Sequence, residues 1–540
     1  MNTRTMTGLK RFSAAIFIFL FSVLGVFAQN QRQDPNAGVK KFNTAMQIIK
    51  LAYVDTINEA KLVEKAIVET LQELDPHSVY ISKKDVQRAN EPLEGNFEGV
   101  GIQFEILHDT ITVVHPVQGG PSEKLGIVSG DKIIKIEGEL VVGKGITNQF
   151  VLDHLRGKRG TKVTVSIFRK TRKDLIDYTI TRDKIPITSV DAAYIISPGI
   201  GYINLNKFAQ TTIDEMEDGI RKLKAKGMRS LILDLRNNSG GYMAPAIELS
   251  DEFLNGNKLI VYTEGQRSPR EDFYSTPRGM FENGKLVVMI NENSASSSEI
   301  VAGAVQDWDR ALIIGRRSFG KGLVQRPYML PDSSLMRLTT ARYYNPSGKC
   351  IQKSYSDGVD KYYEDFSNRY RHGELVHPDS IKFPDSLKYY TSKKRVVYGG
   401  GGIMPDVFIP WDSTPISDYY LELRRKNVIF PFVGEYVDKN RSVLEKKYPD
   451  FATFNRDFIV DKAFMTSFFE SAKKAGVKFD KKGYAASQEL ISGQIKGLIA
   501  QKLWDINEFY TVVNQYDNEV QKALEMVQDD TLFEKLKIDR

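Results

Sequence analysis

Apolar residues at Phe42, Ala45, Met46, Ile49 and Tyr53 recur at three- and four-residue spacing, and Leu62, Val63, Ala66, Ile67, Leu71 and Leu74 repeat the pattern. Such spacing lines one face of a helix, so residues 36–94 are expected to form an N-terminal helical region. The segment LDPHSVYIS closes it as a turn into an extended piece, with His77, beside a proline, as a loop contact. Over residues 95–182 the apolar period drops to two. Short strands at 101–106, 111–115, 132–136 and 162–168, with one helix at 147–155, predict a small, partly open β-domain. From residue 201 strands alternate with helices. Strands are expected at 201–205, 231–235, 258–262, 286–290 and 311–314. Helices are expected along the face Ile213, Met216, Ile220 and Leu223, and at 244–253 and 299–307. This alternation predicts a layered α/β domain over 183–352, completed by 397–415. Residues 353–396 are charged, tyrosine-rich and aperiodic, and read as an insertion. The glycines at 399–402 read as a flexible hinge, and 416–540 as a helical C-terminal region rich in lysine and glutamate.

Composition adds boundaries to this picture. The 540 residues are 41% hydrophobic and 26% charged, enough apolar material for several packed domains. A formal charge of +7 over this length, with no basic stripe interleaved with aromatics, argues against a nucleic-acid binder. Arg4, Lys10 and Arg11 precede an apolar run from Phe12 to Ala28, with no acidic residue among the first 28. That pattern reads as a signal peptide over residues 1–28, with a retained anchor as the alternative. The expected location is therefore periplasmic or otherwise extracytoplasmic. The single cysteine, Cys350, permits no internal disulfide and has no acid or histidine motif around it.

The chemistry is concentrated in NSASSSEIVAGAVQDWDRALIIGRRSFGKGLVQ, residues 293–325. A serine at the start of the helix after strand 286–290 would sit at the positive end of a helix dipole, beside unpaired N–H groups suited to an oxyanion. Ser296-x-x-Glu299 also matches a capping box, which starts many helices without chemistry. Lys321 lies between Gly320 and Gly322 in apolar surroundings, where burial would favour the neutral amine and permit base catalysis. On an extended segment Lys321, Leu323 and Gln325 share a face, which would let Gln325 hold the amine. LILDLRNNSGG ends a buried strand in Gly240 and Gly241; an N–H from one of these, with that of Ser297, could form an oxyanion hole. The six histidines, at 77, 108, 115, 154, 372 and 377, fall outside these motifs, which argues against a Ser-His-Asp hydrolase.

The ordered segments LDPHSVYIS, FEGVGIQF, DLRNNSGG, FGKGLVQ, TARYYNPSGKCIQ and GIMPDVFIP, with the serine run, resemble the carboxyl-terminal processing peptidases, which are tail-specific serine–lysine proteases. The resemblance implies a crotonase/ClpP-like α/β core with an inserted PDZ domain. It implies Ser296 as nucleophile, Lys321 as base and Gln325 as support, with no metal or organic cofactor. Ser297 stands where the family often has alanine, so it remains an alternative nucleophile. Gly99, Val100, Gly101 and Ile102 resemble the PDZ loop that binds a terminal carboxylate. The implied substrates are protein or peptide tails, and the helical regions are expected to support a homodimer. The competing reading is a catalytically idle PDZ scaffold.

Overall fold

The computed structural model describes residues 34, 36–117, 119–170 and 172–540. The expected signal segment lies outside them. Among the described residues no helix is long and apolar enough to cross a membrane. The described residues up to 70 form one compact unit and those from 71 to 540 another. In the first, Ala37–Ala52 and the start of Glu59–Gln72 are the two expected helices.

The larger unit is built on a six-stranded sheet. Its order is Val190–Ser197, Ile200–Leu205, Ser230–Asp234, Leu286–Ile290, Leu312–Gly315 and Val407–Phe408, parallel throughout except for the first pair. Its inner strands read LILD, LVVMI and LIIG because both faces are buried, as parallel strands require. Alternate side chains divide between two cores. Leu231, Leu233, Val288 and Ile290 meet the helices Thr212–Ala225, Met243–Asp251 and Ser297–Asp307, while Ile232, Val287, Met289 and Ile314 meet Val520, Ala523, Val527 and Phe533. The end of the chain, Asn518–Lys535 in two helices, thus forms the third layer of the α/β core.

A second sheet carries the lysine segment. Its central strand Leu335–Tyr344 pairs on one side with Leu323–Met329 and on the other with Val79–Ile81 and Leu259–Gly265. The β-domain has strand order Ile102–Leu107, Thr110–Pro116, Lys132–Ile136, Lys162–Phe168, Ile176–Thr181. Its helix Asn148–Leu155 is capped by Thr147, which accepts the Phe150 N–H. The domain is held to the C-terminal helices by Glu105–Lys502 at 2.8 Å and by His115, whose Nε2 bonds the Gln501 carbonyl at 2.8 Å.

Two sequence expectations fail here. Residues 353–396 are not aperiodic: Val359–Arg371 is a helix that buries only Tyr362 and Arg369. One tyrosine and one arginine inside leave no aliphatic stripe to reveal the period. Arg369 donates to the Arg317 and Ser318 carbonyls at 2.7 and 3.1 Å, so the helix packs against the segment leading to Lys321. Nor are the glycines at 399–402 a hinge. Gly400 and Gly402 donate to the Cys350 and Ile351 carbonyls, and a Cβ on Gly402, at φ +94°, would lie 2.6 Å from the Ser318 oxygen. Here glycine serves close backbone approach rather than mobility. Gly402→Ala should therefore destabilise the protein by about 1–3 kcal/mol, read as a lowered denaturation midpoint.

Candidate active site

The strand Leu286–Ile290 runs into a serine-rich turn from which the helix Ser297–Asp307 starts. The hydroxyls in this turn have different tasks. Ser294 donates to the Leu235 carbonyl at 2.8 Å, Ser298 to that of Asn238 at 2.8 Å and Ser297 to that of Tyr242 at 2.9 Å. These three stitch the turn to the neighbouring loop that follows Ser230–Asp234. Ser296 instead faces a cavity of about 670 Å³. Its backbone, φ 54° and ψ −112°, is a strained conformation for a residue other than glycine. The turn thus separates Ser296 from Ser297, whose hydroxyl is buried and already bonded.

Lys321 and Gln325 line the same cavity, as do Gly240, Gly241, Arg337 and Tyr343. The glycines beside the lysine permit close packing: a Cβ on Gly320 would lie 3.1 Å from the Gly402 nitrogen, and one on Gly322 3.0 Å from the Gln352 nitrogen. Among the described residues, Ser296 Oγ and Lys321 Nζ share no direct hydrogen bond, although they open into one space. Gln325 donates from Nε2 to Thr339 Oγ1 at 3.2 Å, not to the lysine. The register shift between Val324 and Gln325 passes over Thr340 of the partner strand and sets Gln325 opposite Thr339.

One carboxylate ties the two segments together. Glu299 is fully buried and accepts the N–H groups of Ser296 at 2.8 Å, Gly320 at 2.7 Å and Lys321 at 2.9 Å, together with the Ser318 hydroxyl. The capping-box glutamate of the serine helix is therefore also the anchor of the lysine loop. Burial pushes its carboxyl up to about 7, against the lowering effect of these four donors. Tyr343 acts on the opposite polarity: its hydroxyl lies 2.9 Å from the Lys321 carbonyl and 3.1 Å from that of Ser296. For Lys321 itself, burial holds the amine below its ordinary value. Arg337 pushes in the same direction, while Glu299 and Asp75 oppose it.

The two glycines of the oxyanion expectation differ. Gly240 N–H donates to Asn238 Oδ1 at 2.9 Å. Neither Gly241 N–H nor Ser297 N–H has a partner among the described residues. Gly240 still governs spacing, because a Cβ there would lie 2.8 Å from Ser296 Cβ. In the β-domain, Gly99 ends the strand Asn96–Gly99, and the Val100 carbonyl accepts the Ser122 hydroxyl at 2.6 Å. Gly101 turns at φ +74°, and Ile102 opens the edge strand Ile102–Leu107. That edge and the helix Asn148–Leu155 flank the loop. The sequence reading gave no role to Asp75, Thr339, Tyr343 or Tyr362. Asp75, His77 and Tyr343 lie within conspicuous segments, whereas nothing in the sequence marks Thr339.

A serine on a helix start, a desolvated lysine in the same cavity and a small β-domain of this strand order define a serine-type peptidase with a PDZ domain. The comparisons agree. Residues 199–364 match the peptidase family S41 model and residues 99–180 a PDZ domain. Residues 23–85 match the N-terminal domain of the activating protease CtpB, and 419–505 a family of unknown function. The carboxy-terminal-processing protease of Bartonella bacilliformis is 36% identical over 62% of this chain and 78% of its own length. The carboxy-terminal processing protease CtpA of Bacillus subtilis is 33% identical over 63% and 72%. A solved photosystem II D1 C-terminal processing protease is 24% identical over 68% of this chain and 86% of its own, with a TM-score of 0.34. The chain belongs to the carboxy-terminal-processing proteases of peptidase family S41.

Glu299→Gln replaces an acceptor-only group with an amide that must aim its NH₂ at backbone donors. Proteolysis should fall sharply, with about 1–3 kcal/mol of stability lost. The same variant tests linkage. Because burial raises the Glu299 carboxyl from 4.5 to about 7, its contribution favours the fold below the lower value and is lost as pH rises through the upper one. Urea titrations across that window should show this slope in the parent and not in Glu299→Gln.

Proposed function

We propose that this peptidase cuts peptide bonds by a serine–lysine mechanism, acts outside the cytoplasm and takes substrates by their C-terminal tails through the PDZ loop 99–102. The observation that carries the mechanism is that Ser296 and Lys321 face one cavity while a single buried carboxylate binds the backbone N–H of both. In this reading neutral Lys321 removes the Ser296 proton as Oγ adds to the scissile carbonyl. The N–H groups of Gly241 and Ser297 hold the oxyanion; Gly240, its own N–H engaged by Asn238, shapes the approach. The lysine ammonium returns the proton to the leaving amine. It then accepts one from the water that hydrolyses the acyl-enzyme. The serine–lysine contact closes on the way to the reacting complex, as catalytic hydrogen bonds commonly do. Leu93, Met243, Ile300, Leu323 and Leu335 give the cavity an apolar stretch of wall, which suits an apolar side chain next to the cut bond.

Export rests on the charged-then-apolar pattern of the first 28 residues. Association into a homodimer is assigned to the N-terminal helices, since Val39, Phe42, Ile48 and Leu51 on Ala37–Ala52 are exposed.

Cleavage of casein or of a peptide with an apolar C-terminus by the purified chain tests the mechanism. Ser296→Ala and Lys321→Ala should each lose at least about 10³-fold in kcat while remaining folded. Full turnover by either would overturn the assignment. Because the base must be neutral, kcat/KM should rise with pH through a midpoint below 10.5, and Lys321→Arg should be inactive at every pH. Gly241→Ala brings a Cβ to within 2.0 Å of the Phe208 carbonyl oxygen, so it should displace the oxyanion donor and cost about 10²–10³-fold in kcat.

A further inference from the structure

The turn Asp75–Ser78 is remote in sequence from the serine and lysine segments, yet its hydrogen bonds end at Gln325. The Asp75 carboxylate, 6% exposed, only accepts. Its Oδ1 takes the N–H groups of His77 at 2.8 Å and Ser78 at 2.9 Å and the Thr339 hydroxyl at 3.0 Å; its Oδ2 takes the Ser78 hydroxyl at 2.6 Å. Ser78 Oγ then accepts the Thr339 N–H at 3.0 Å, which fixes Thr339 from its backbone as well.

The proton inventory gives this chain a direction. Both Asp75 oxygens act as acceptors in every contact they make, so the single Thr339 proton points to Asp75. The Thr339 oxygen is left with lone pairs only, and the neighbouring Gln325 must present its NH₂, as it does at 3.2 Å. The amide is thereby oriented with its carbonyl at the end away from Thr339, and Gln325 lines the cavity that Lys321 shares. A carbonyl beside a neutral amine accepts one of its hydrogens and leaves the lone pair for the serine proton. An amide turned the other way would offer N–H to that lone pair and block the base.

We propose that Asp75, acting through Thr339, is a positioning residue for proteolysis that locks the Gln325 amide with its carbonyl towards the Lys321 amine. The inference rests on the serine–lysine reading above. It also carries an electrostatic consequence. The charged groups facing Lys321 are Glu299 from the serine helix, Arg337 from the strand Leu335–Tyr344 and Asp75 from its turn. His77, held neutral by burial, stands beside them. Asp75 favours the protonated lysine, so removing its charge makes the amine easier to deprotonate.

The test uses the full chain, a tailed peptide substrate, and kcat and KM measured across pH. Asp75→Asn and Thr339→Val should each lower kcat by about 10–100-fold with KM within about threefold of the parent, and Thr339→Ser should stay within about threefold in both. The acidic limb of the Asp75→Asn profile should move to lower pH although its kcat is lower; a purely structural lesion would not move it. In a Gln325→Ala background Asp75→Asn should add no more than about twofold, because the group it positions is gone. Parental kcat with an unmoved limb in Asp75→Asn would overturn the proposal, as would equal damage from Thr339→Val and Thr339→Ser, or an undiminished Asp75→Asn effect without Gln325. If Asp75→Asn fails to fold, the Thr339 pair decides. Retained activity in Ser296→Ala or Lys321→Ala would instead sink the underlying mechanism.

Discussion

The buried carboxylate of Glu299 is the constraint on which the site depends. It gathers N–H groups from the serine turn and the lysine loop, two segments delivered by different strands of the α/β sheet. A buried carboxyl without water needs its oxygens met by donors, so the loop cannot move away without leaving them unsatisfied. Tyr343 completes the hold by meeting the carbonyls of Ser296 and Lys321. Both residues are thus gripped by N–H and by C=O, while both line the cavity. This arrangement suits chemistry in which a proton must move but the backbone must not. It also sustains the strained torsions of Ser296, which persist only where surrounding contacts determine them.

The rest of the fold serves that grip. The parallel strands Ser230–Asp234, Leu286–Ile290 and Leu312–Gly315 end at one edge, as open α/β sheets deliver their sites. There the hydroxyls of Ser294, Ser297 and Ser298 fasten one loop to the next. From behind, Arg369 of the helix Val359–Arg371 holds the carbonyls of Arg317 and Ser318, and the packed glycines at 399–402 close against Ser318. The insertion therefore forms part of the wall behind Lys321.

Much of this was legible in the sequence where local chemistry decides it. The buried strands announced themselves through continuous aliphatic runs, and the glycines around Lys321 marked a close backbone approach that the structure contains. The serine run was readable as a cap or a nucleophile; the structure contains the cap, with Glu299 on the Ser296 N–H, and sets Ser296 on the cavity wall. Illegible features were those set by distant partners. Nothing local in the sequence announces that Asn238 will occupy the Gly240 N–H, or that Gln325 will turn to Thr339 across a bulge. The helix Val359–Arg371 escaped because its buried face is a tyrosine and an arginine rather than aliphatics. The glycine run misled because one residue type serves both flexibility and tight packing.

A lysine base faces an opposing pair of demands. It must lose its charge to act, and burial alone would achieve that. Yet an amine made too weak a base would not hold the proton it takes from serine. The charges around Lys321 divide along this line: desolvation and Arg337 press it towards neutrality, while Glu299 and Asp75 favour the cation. Neither carboxylate forms a direct ion pair with the amine. Glu299 spends its oxygens on backbone N–H groups and Asp75 on its own turn and Thr339, so both act through space. A direct salt bridge would lock the lysine in its charged form. Carboxylates saturated by other donors supply a field without capturing a proton, and that distinction allows them to stand near Lys321 without holding it in a salt bridge.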